Sequence, residues 1–494
     1  MTGTLFFLAA IGAACQDSGF GGLAPCEPGE AGPPTATVAD PVAVPEHLLH
    51  PPAEALDPLS AILYDDTVSV LEYGVRADGS TDNTAALQRA IDEVAPGTAL
   101  FFPKAEAAYV LRGTVELRSD VGLISDGATI DTRDNDGTAL ELDGVSGVEI
   151  SGLRFRGPTT PDTYSRAITI ADGSTGNLVR DAYFRYYSGG AVVVQGSENT
   201  IRDNTFVEVN NSPPEPGAHY GSIHLLTGDR NVIVGNTITD FDWSGISLYA
   251  SDDNRIAENV VRTREGFPGA SMGIYILAGS SGNLVERNDV SLARNECIVL
   301  ISNSDVGPVE GNVVRNNHTA DCPYAGISLQ KNGDHDVSGN LVEDNRVEAF
   351  GLGDRHIDHA ILLVGARDNI VRRNEVRSDG SQIETGIRTM DHADGNVFEA
   401  NAIEGVSGSG IVASGKGSRY VGNTIRDAEF GIFMASAPDA EVTGNAVSET
   451  ERGTIRVGSD VDGARIYDNR LDAPVEYSPD SGVTVRDNIV TGCR

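Results

Sequence analysis

The sequence predicts an all-β chain wound as a right-handed parallel β-helix solenoid with a capping helix near its start. Three observations predict it. A phrase of the form Asn-x-apolar-x-x-Asn-x-apolar recurs along most of the chain, the composition suits turns and short strands, and one amphipathic helical segment precedes the first repeat.

A chain of 494 residues exceeds one ordinary globular core. A solenoid escapes that limit because each coil packs only on its neighbours. The 57 glycines, the frequent Asn and Asp, and the abundance of Val and Ile favour turns and strands over long helices. The formal charge of −36 excludes nucleic acid and anionic membrane surfaces as partners, because both need a basic stripe. Only Lys104, Lys331 and Lys416 are lysines; the other cations are arginines.

The chain opens on an apolar run, Leu5 to Ala14, ending at Cys15. Ten residues are too few to span a bilayer but match the core of a signal peptide. The segment Ile11-Gly12-Ala13-Ala14-Cys15 resembles a bacterial lipobox, which implies export and lipidation of Cys15. Residues 1–15 are therefore expected to be a signal peptide with lipobox, and residues 16–60, rich in Pro, Gly, Ala and Glu, a flexible tether. Contact with a membrane is expected only through that lipid anchor. The location is expected to be extracellular or cell-surface, and the chain a monomer.

The repeat is explicit at Asn199-Thr-Ile-Arg-Asp-Asn204 and Asn231-Val-Ile-Val-Gly-Asn236, and again from Asn254, Asn283, Asn369 and Asn396. Weaker copies place the second Asn at Asn312, Asn340, Asn423, Asn445, Asn469 and Asn488. Alternating apolar positions fill an interior while their neighbours face out. Asn at a fixed turn position tolerates left-handed backbone and stacks into a ladder along the axis. Many of the Asn phrases are preceded by strand phrases such as Gly245-Ile-Ser-Leu, Gly273-Ile-Tyr-Ile and Gly326-Ile-Ser-Leu.

The start of the solenoid reads Tyr73-Gly-Val-Arg-Ala-Asp78-Gly79-Ser-Thr81-Asp82-Asn-Thr84, then Ala85-Ala-Leu-Gln-Arg-Ala-Ile-Asp-Glu-Val-Ala95. The second piece is an amphipathic helix over about 82–95 with Leu87, Ala90, Ile91 and Val94 on one face, capped by Thr81 or Asp82. Residues 61–111 are expected to form this cap and 112–494 the β-helix. The cap motif resembles that of the pectate-lyase-like superfamily, which includes rhamnogalacturonases, polygalacturonases, mannuronan epimerases and phage tailspikes. The resemblance implies the fold and a carbohydrate partner, and it leaves the reaction open. The Gly-His-Gly of polygalacturonases and the Asp-Pro-His of mannuronan epimerases are absent. Tyr220-Gly-Ser-Ile-His224-Leu-Leu resembles a segment of inulin fructotransferases, a remote alternative.

Spacing between ladder asparagines locates the long turns. It is 22 residues from Asn401 to Asn423 and on to Asn445, but 32 from Asn204 to Asn236, 28 from Asn312 to Asn340 and 34 from Asn340 to Asn374. Residues 208–220, 262–272, 316–325 and 347–359 are expected to project from one edge and wall a cleft. The floor would be the outward strand positions His224, Ser247, Tyr249, Tyr275, Val299, Ile301, Ser328, Gln330 and Arg388. The candidate catalytic residues are His224, Tyr249, Tyr275, His356, Asp358 and Arg388, as acids, bases or the cation facing a substrate carboxylate. Tyr220, Trp243, Arg264, Glu265, Tyr324, Lys331 and His359 are the candidate substrate-binding residues, with Glu296 in the same wall. Arg388 has either a substrate carboxylate or Glu265 or Glu384 as its partner. No cofactor is expected, with Ca²⁺ the one ion left open, because the spacing of His356, Asp358 and His359 fits no standard site.

The leading reading is an exported enzyme acting on a polysaccharide or oligosaccharide, by β-elimination or epimerisation at a uronic acid. The rivals are a glycoside hydrolase, for which Glu265, Glu296, Asp242 and Asp358 are available, and a non-catalytic adhesive or glycan-binding β-helix. Cys297 and Cys322, 25 residues and about one coil apart, are expected to form a disulfide.

Overall fold

The computed structural model describes residues 42–159, 165–209, 221–267, 272–303, 306–349, 356–379 and 382–491. Cys15 with its lipobox, residues 16–41 of the tether, and Tyr220 lie outside them. The described chain is a right-handed parallel β-helix, in which each coil adds one strand to a back ladder, one to a side ladder and one to a front ladder. Val232–Val234, Thr237–Thr239 and Ser244–Tyr249 make one such coil. Every ladder pairing is parallel and joins consecutive coils.

Side-chain size explains the front ladder. Ile223, Ile246, Ile274, Ile298, Ile327, Ile361, Ile387 and Ile411 stack in register, all fully buried. The glycine before several of them has no alternative. A Cβ on Gly245 would stand 2.3 Å from Val261, and one on Gly273 2.2 Å from Val290. At the equivalent position of the next coil stands Cys297, which bonds to Cys322 as expected, with Cα atoms 5.6 Å apart. In the side ladder Phe155, Phe184 and Phe206 stack in the same way, with centroids 5.1 and 4.8 Å apart.

Both asparagines of the phrase form ladders. The first runs from Asn177 through Asn199, Asn231, Asn254, Asn283, Asn312, Asn340 and Asn369 to Asn396. The second runs from Asn204 through Asn236, Asn259, Asn288, Asn317, Asn345, Asn374 and Asn401 to Asn488. Two corrections follow. Asn312 and Asn340 belong to the first ladder, so the spacing of 34 mixed the two; Asn340 to Asn369 is 29 residues. Nor do the asparagines take the left-handed backbone. The residue ahead of each does, as at Asp203 (φ 55°), Glu258 (φ 57°) and Arg373 (φ 52°). The Asn amide ties that turn to the next coil from inside.

Coil length drops after Asn401 because the side and front strands fuse. Thr424–Ser436 and Ala446–Val457 each run through both ladders without a turn. Conversely, the expected wall 316–325 is interrupted by strand, since His318–Ala320 belongs to the side ladder and only 321–324 is left as a turn before the front strand.

The helix is Thr84–Glu93, with Leu87, Ala90 and Ile91 buried against Val70, Leu100 and Val115. The N-cap is Asn83 rather than Thr81 or Asp82, and its side chain makes no capping bond; Asp82, one residue earlier, accepts from the Thr84 N–H at 3.0 Å, while Thr81 bonds to Asp78. The boundary at 111 is not structural. Asp66–Ser69 already pairs with Thr98–Phe102, and Thr98–Phe102 with Val121–Ser125.

The tether assignment also needs correction from residue 42 onward. Residues 42–64 form a strap laid along the outside of the back ladder. Leu48 and Ala53 are buried against Leu284, Val313, Leu341 and Ile370. Glu54 pairs with Arg315 at 2.8 Å, the Ile62 N–H donates to Glu149, and the Val42 N–H to Glu399. Outward leucine, valine and isoleucine on four successive back strands make an apolar stripe that needs cover. Leu48→Asp should undock it. Losing about 2 kcal/mol of leucine burial raises the open population roughly 30-fold, which timed digestion with a Glu-specific protease at Glu46 and Glu54 would detect. An unchanged cleavage rate would show that the strap is not held by this contact.

Candidate functional site

The outward face of the front ladder carries a group of polar side chains spread over five coils. Tyr275, Val299, Ser328, Leu362 and Arg388 occupy one register column, and Ile301, Gln330 and Val364 the next. A third column holds Glu296, then Ala325, then His359. Backbones two strands apart stand about 10 Å from each other, so Glu296 and His359 stand on either side of the small, fully buried Ala325.

Glu296 is buried. Its Oε1 accepts from Gln330 Nε2 at 2.6 Å, and Gln330 in turn donates to Ser328 Oγ at 3.0 Å. Its Oε2 is buried with no hydrogen-bond partner. Burial pushes this carboxyl up to about 6, against the pull of Gln330 and Ser328. An uncompensated buried carboxyl favours its neutral, proton-donating form. His359 is the complementary case. Burial, then the nearby Arg388, brings it down to about 4, and its Nδ1 has no hydrogen-bond partner. Its ring meets Tyr324 edge-on with centroids 6.0 Å apart.

Tyr324 is raised by burial, then by Glu296 and Asp358, with Arg388 opposing. Asp358, which reaches solvent at the rim, is raised by partial desolvation and then by Glu384, with Arg388 and His356 opposing. Arg388 thus lies within electrostatic reach of Tyr324, Asp358 and His359. Among the described residues its guanidinium has no ion pair, and its buried Nε has no hydrogen-bond partner. It pairs with neither Glu265 nor Glu384.

The structure brings together Tyr275, Glu296, Tyr324, Asp358, His359 and Arg388, with His356 exposed at the edge. Other candidates stand apart. His224 is buried two coils before Tyr275, its Nδ1 2.7 Å from Ser247 Oγ. Tyr249 packs beside Met272 on an apolar cluster of Tyr275, Leu277, Val299 and Ile301, a floor lying outside the main core. Tyr275 donates nothing to that cluster; its hydroxyl accepts from Asn303 at 3.0 Å, and burial raises it, then Glu296. Trp243 is half-buried in the turn before Ser244.

Two of the candidate cations are already engaged. Lys331 holds Asp336 at 2.7 Å, and Arg264 holds Asp240 at 2.8 Å and lies over Phe267. Arg264 and Glu265 line a neighbouring groove of about 340 Å³, with Arg294, Asp321 and Pro323 across it. Gln330 and Glu296 carry more of the site than their sequence context suggested. The available signal was alignment on the strand start, which puts Glu296 and His359 at the same position before Cys297-Ile and Ala360-Ile.

Comparison with known proteins places these features. Residues 123–304 and 293–493 match the family described as periplasmic copper-binding protein (NosD). Residues 67–134 match the rhamnogalacturonase A/epimerase, pectate lyase-like family. The plasmin and fibronectin-binding protein A of Streptococcus pneumoniae is 24% identical over 318 residues, which cover 60% of this chain and 42% of that protein. The chain thus spans less than half the length of that curated relative. A tailspike protein mutant of E. coli bacteriophage HK620, solved with a pentasaccharide, is 15% identical with a TM-score of 0.58, covering 81% of this chain and 80% of its own. The Dettilon tailspike is 15% identical with a TM-score of 0.54, covering 80% and 68%. At such identities these structures share the fold alone.

Proposed function

The chain belongs to the NosD family, and we propose that this member is an exported enzyme acting on a uronic-acid-containing glycan at the Glu296–His359–Arg388 site, most simply by β-elimination. The family's description raises copper first. Copper sites draw on imidazole, thiolate and thioether donors. Among the described residues no three of His, Cys, Asp and Glu come together as a metal site, and Cys297 and Cys322 are joined to each other. That donor set does not fit copper, and no step here is routed through it.

The observation that carries the glycan reading is Arg388, a cation without an ion pair among the described residues, one coil beyond a histidine with an unused Nδ1 and three coils beyond a carboxyl raised to about 6. A bidentate guanidinium is suited to a sugar carboxylate. With the carboxylate held, its negative charge no longer opposes removal of the adjacent proton. His359 Nδ1 takes the C5 proton, the C–H electron pair becomes the C4=C5 double bond, and the C4–O bond breaks. Glu296 gives its proton to the departing oxygen. Tyr324 stands beside His359, and the apolar floor below Tyr275 keeps water away. Exported surroundings permit the disulfide that joins the segments carrying Glu296 and Tyr324.

A second reading is favoured by one feature. Glu296 as an acid and Asp358 as a second carboxyl, on strands two coils apart, are the two kinds of group an inverting hydrolase pairs. A panel of acidic and neutral polysaccharides separates the two. A lyase yields products absorbing in the ultraviolet together with reducing ends, and a hydrolase reducing ends alone. Arg388→Ala should lower kcat/KM on an acidic polymer roughly 10²-fold and leave any turnover of neutral polymers unchanged. Wild-type kcat/KM in that variant would remove Arg388 from substrate binding. No product of any kind, with NMR excluding epimerisation, would favour the binding-only role.

A further inference from the structure

We propose a second glycan-binding surface on the side ladder, an arginine–tyrosine platform that takes a stretch of anionic polysaccharide away from the Glu296 site. It begins on the strand Arg154–Arg156, whose two arginines point outward while Phe155 fills the core. In the next coil Tyr183 stands in register with Arg154, and Arg185 with Arg156. The outward positions of the following strands, Thr205–Val207, Thr237–Thr239 and Val260–Arg262, are threonine and valine, ending on Arg262. The strip spans five strands, about 19 Å along the axis. It carries four arginines and no carboxylate at its outward positions, in a chain with 72 acidic against 36 basic residues. Carboxylates return immediately beyond it, at Asp289 on the next strand.

The arginines here are arranged differently from others on the same ladder. Arg346 is held by Glu348 and Arg377 by Glu375, each on its own strand. Arg185 is held by Glu208 at 2.6 Å. Among the described residues Arg154, Arg156 and Arg262 have no ion pair. Arg154 lies 4.4 Å over the Tyr183 ring and Arg185 4.3 Å over the Tyr186 ring, the Arg185 N–H edge being taken by Glu208. Preorganised guanidinium groups at strand spacing, Arg154 and Arg156 first among them, suit a row of carboxylates or sulfates on a stiff polymer, and tyrosine beside them suits sugar rings. The molecule as a whole repels such a polymer. At 0.15 M salt, however, charges more than about 8 Å away are screened, so the strip acts through its own charge.

This surface stands independently of the proposed elimination, resting on it only for the choice of polymer. The test uses the full chain and immobilised polygalacturonate, alginate and heparin, with dextran as neutral control, read by biolayer interferometry at 0.15 M and 0.5 M NaCl. Wild type should bind at least one acidic polymer and not dextran, more weakly at the higher salt. The R154A/R156A variant should lose roughly tenfold in affinity with an unchanged thermal midpoint, and Y183A should lose part of it. R154A/R156A should lose the same factor in an R388A background, so failure of the elimination site is read separately. Absence of binding to every acidic polymer, or wild-type affinity in R154A/R156A, overturns the proposal. Self-association that disappears in R154A/R156A without polymer binding overturns it too, by showing that the strip docks a second acidic copy of the chain.

Discussion

Glu296→Gln should lower kcat on the responsive acidic glycan by a factor of roughly 10² to 10⁴ with KM little changed, because it removes a proton donor and keeps its shape. The wild-type profile of kcat/KM against pH should be bell-shaped. His359 is free to accept a proton above about 4, and Glu296 holds its own below about 6. The optimum should fall between those values, and the alkaline limb should vanish in the glutamine variant while the acid limb remains. Stability supplies a readout that needs no substrate. The folded carboxyl is raised from 4.5 to about 6, so its stabilising contribution is complete below 4.5 and is lost as pH rises through 6. Wild type should lose about 2 kcal/mol more than the variant between pH 4 and 7.5. A variant with wild-type kcat, or an alkaline limb that persists in it, would remove Glu296 from the proton path.

The fold was legible because its causes are local and repeated. Isoleucine after glycine needs only the absence of a Cβ at Gly245 or Gly273, and the sequence states that directly. The disulfide was legible because 25 residues is one coil. Register between the two Asn ladders was harder. Where Asn312 is followed by Asn316 and Asn317, or Asn340 by Asn345, one copy of the phrase looks like another. Only the hydrogen bonds from coil to coil decide which Asn belongs to which ladder. The strap was missed because residues 42–64 have no periodicity of their own. Their order comes from a stripe supplied by Leu284, Val313, Leu341 and Ile370, which are far away in sequence.

The site was legible as a face and only in part as a set of residues. Outward alternation identified the column of Tyr275, Ser328 and Arg388. It did not reveal which cations are spent elsewhere. Lys331 and Arg264 look as available as Arg388 until Asp336 and Asp240 are seen beside them. Glu296 was undervalued because its importance is environmental. Nothing in the order Asn295-Glu296-Cys297 announces that one carboxyl oxygen is buried without a partner.

Asn317→Ala should destabilise the middle of the solenoid by about 3–6 kcal/mol, while Asn488→Ala should cost less than about 1 kcal/mol. Asn317 is almost fully buried, and its side-chain amide makes four hydrogen bonds to buried groups. Its Nδ2 donates to the Val285 carbonyl at 2.9 Å and to Asn345 at 3.0 Å. Its Oδ1 accepts from the Asn288 N–H at 2.9 Å and from Asn288 Nδ2 at 3.0 Å. Alanine removes the Asn317 bond to the Val285 carbonyl, orphans the Asn288 N–H and leaves Asn288 Nδ2 with only the Ile256 carbonyl, and each unmet buried bond costs roughly 1–3 kcal/mol. Asn488 ends the same ladder and is partly exposed, so water can take over its bonds to Asn469 and Ile466. A solenoid stabilised mainly by contacts between neighbouring coils should localise the damage. Hydrogen exchange should therefore accelerate most in coils 283–345 of the Asn317 variant, and a separate, earlier unfolding step should appear in denaturant. Equal effects of the two substitutions would mean that the ladder contributes through something other than satisfaction of buried amides. Backbone pairing would then have to carry the coil-to-coil stability alone.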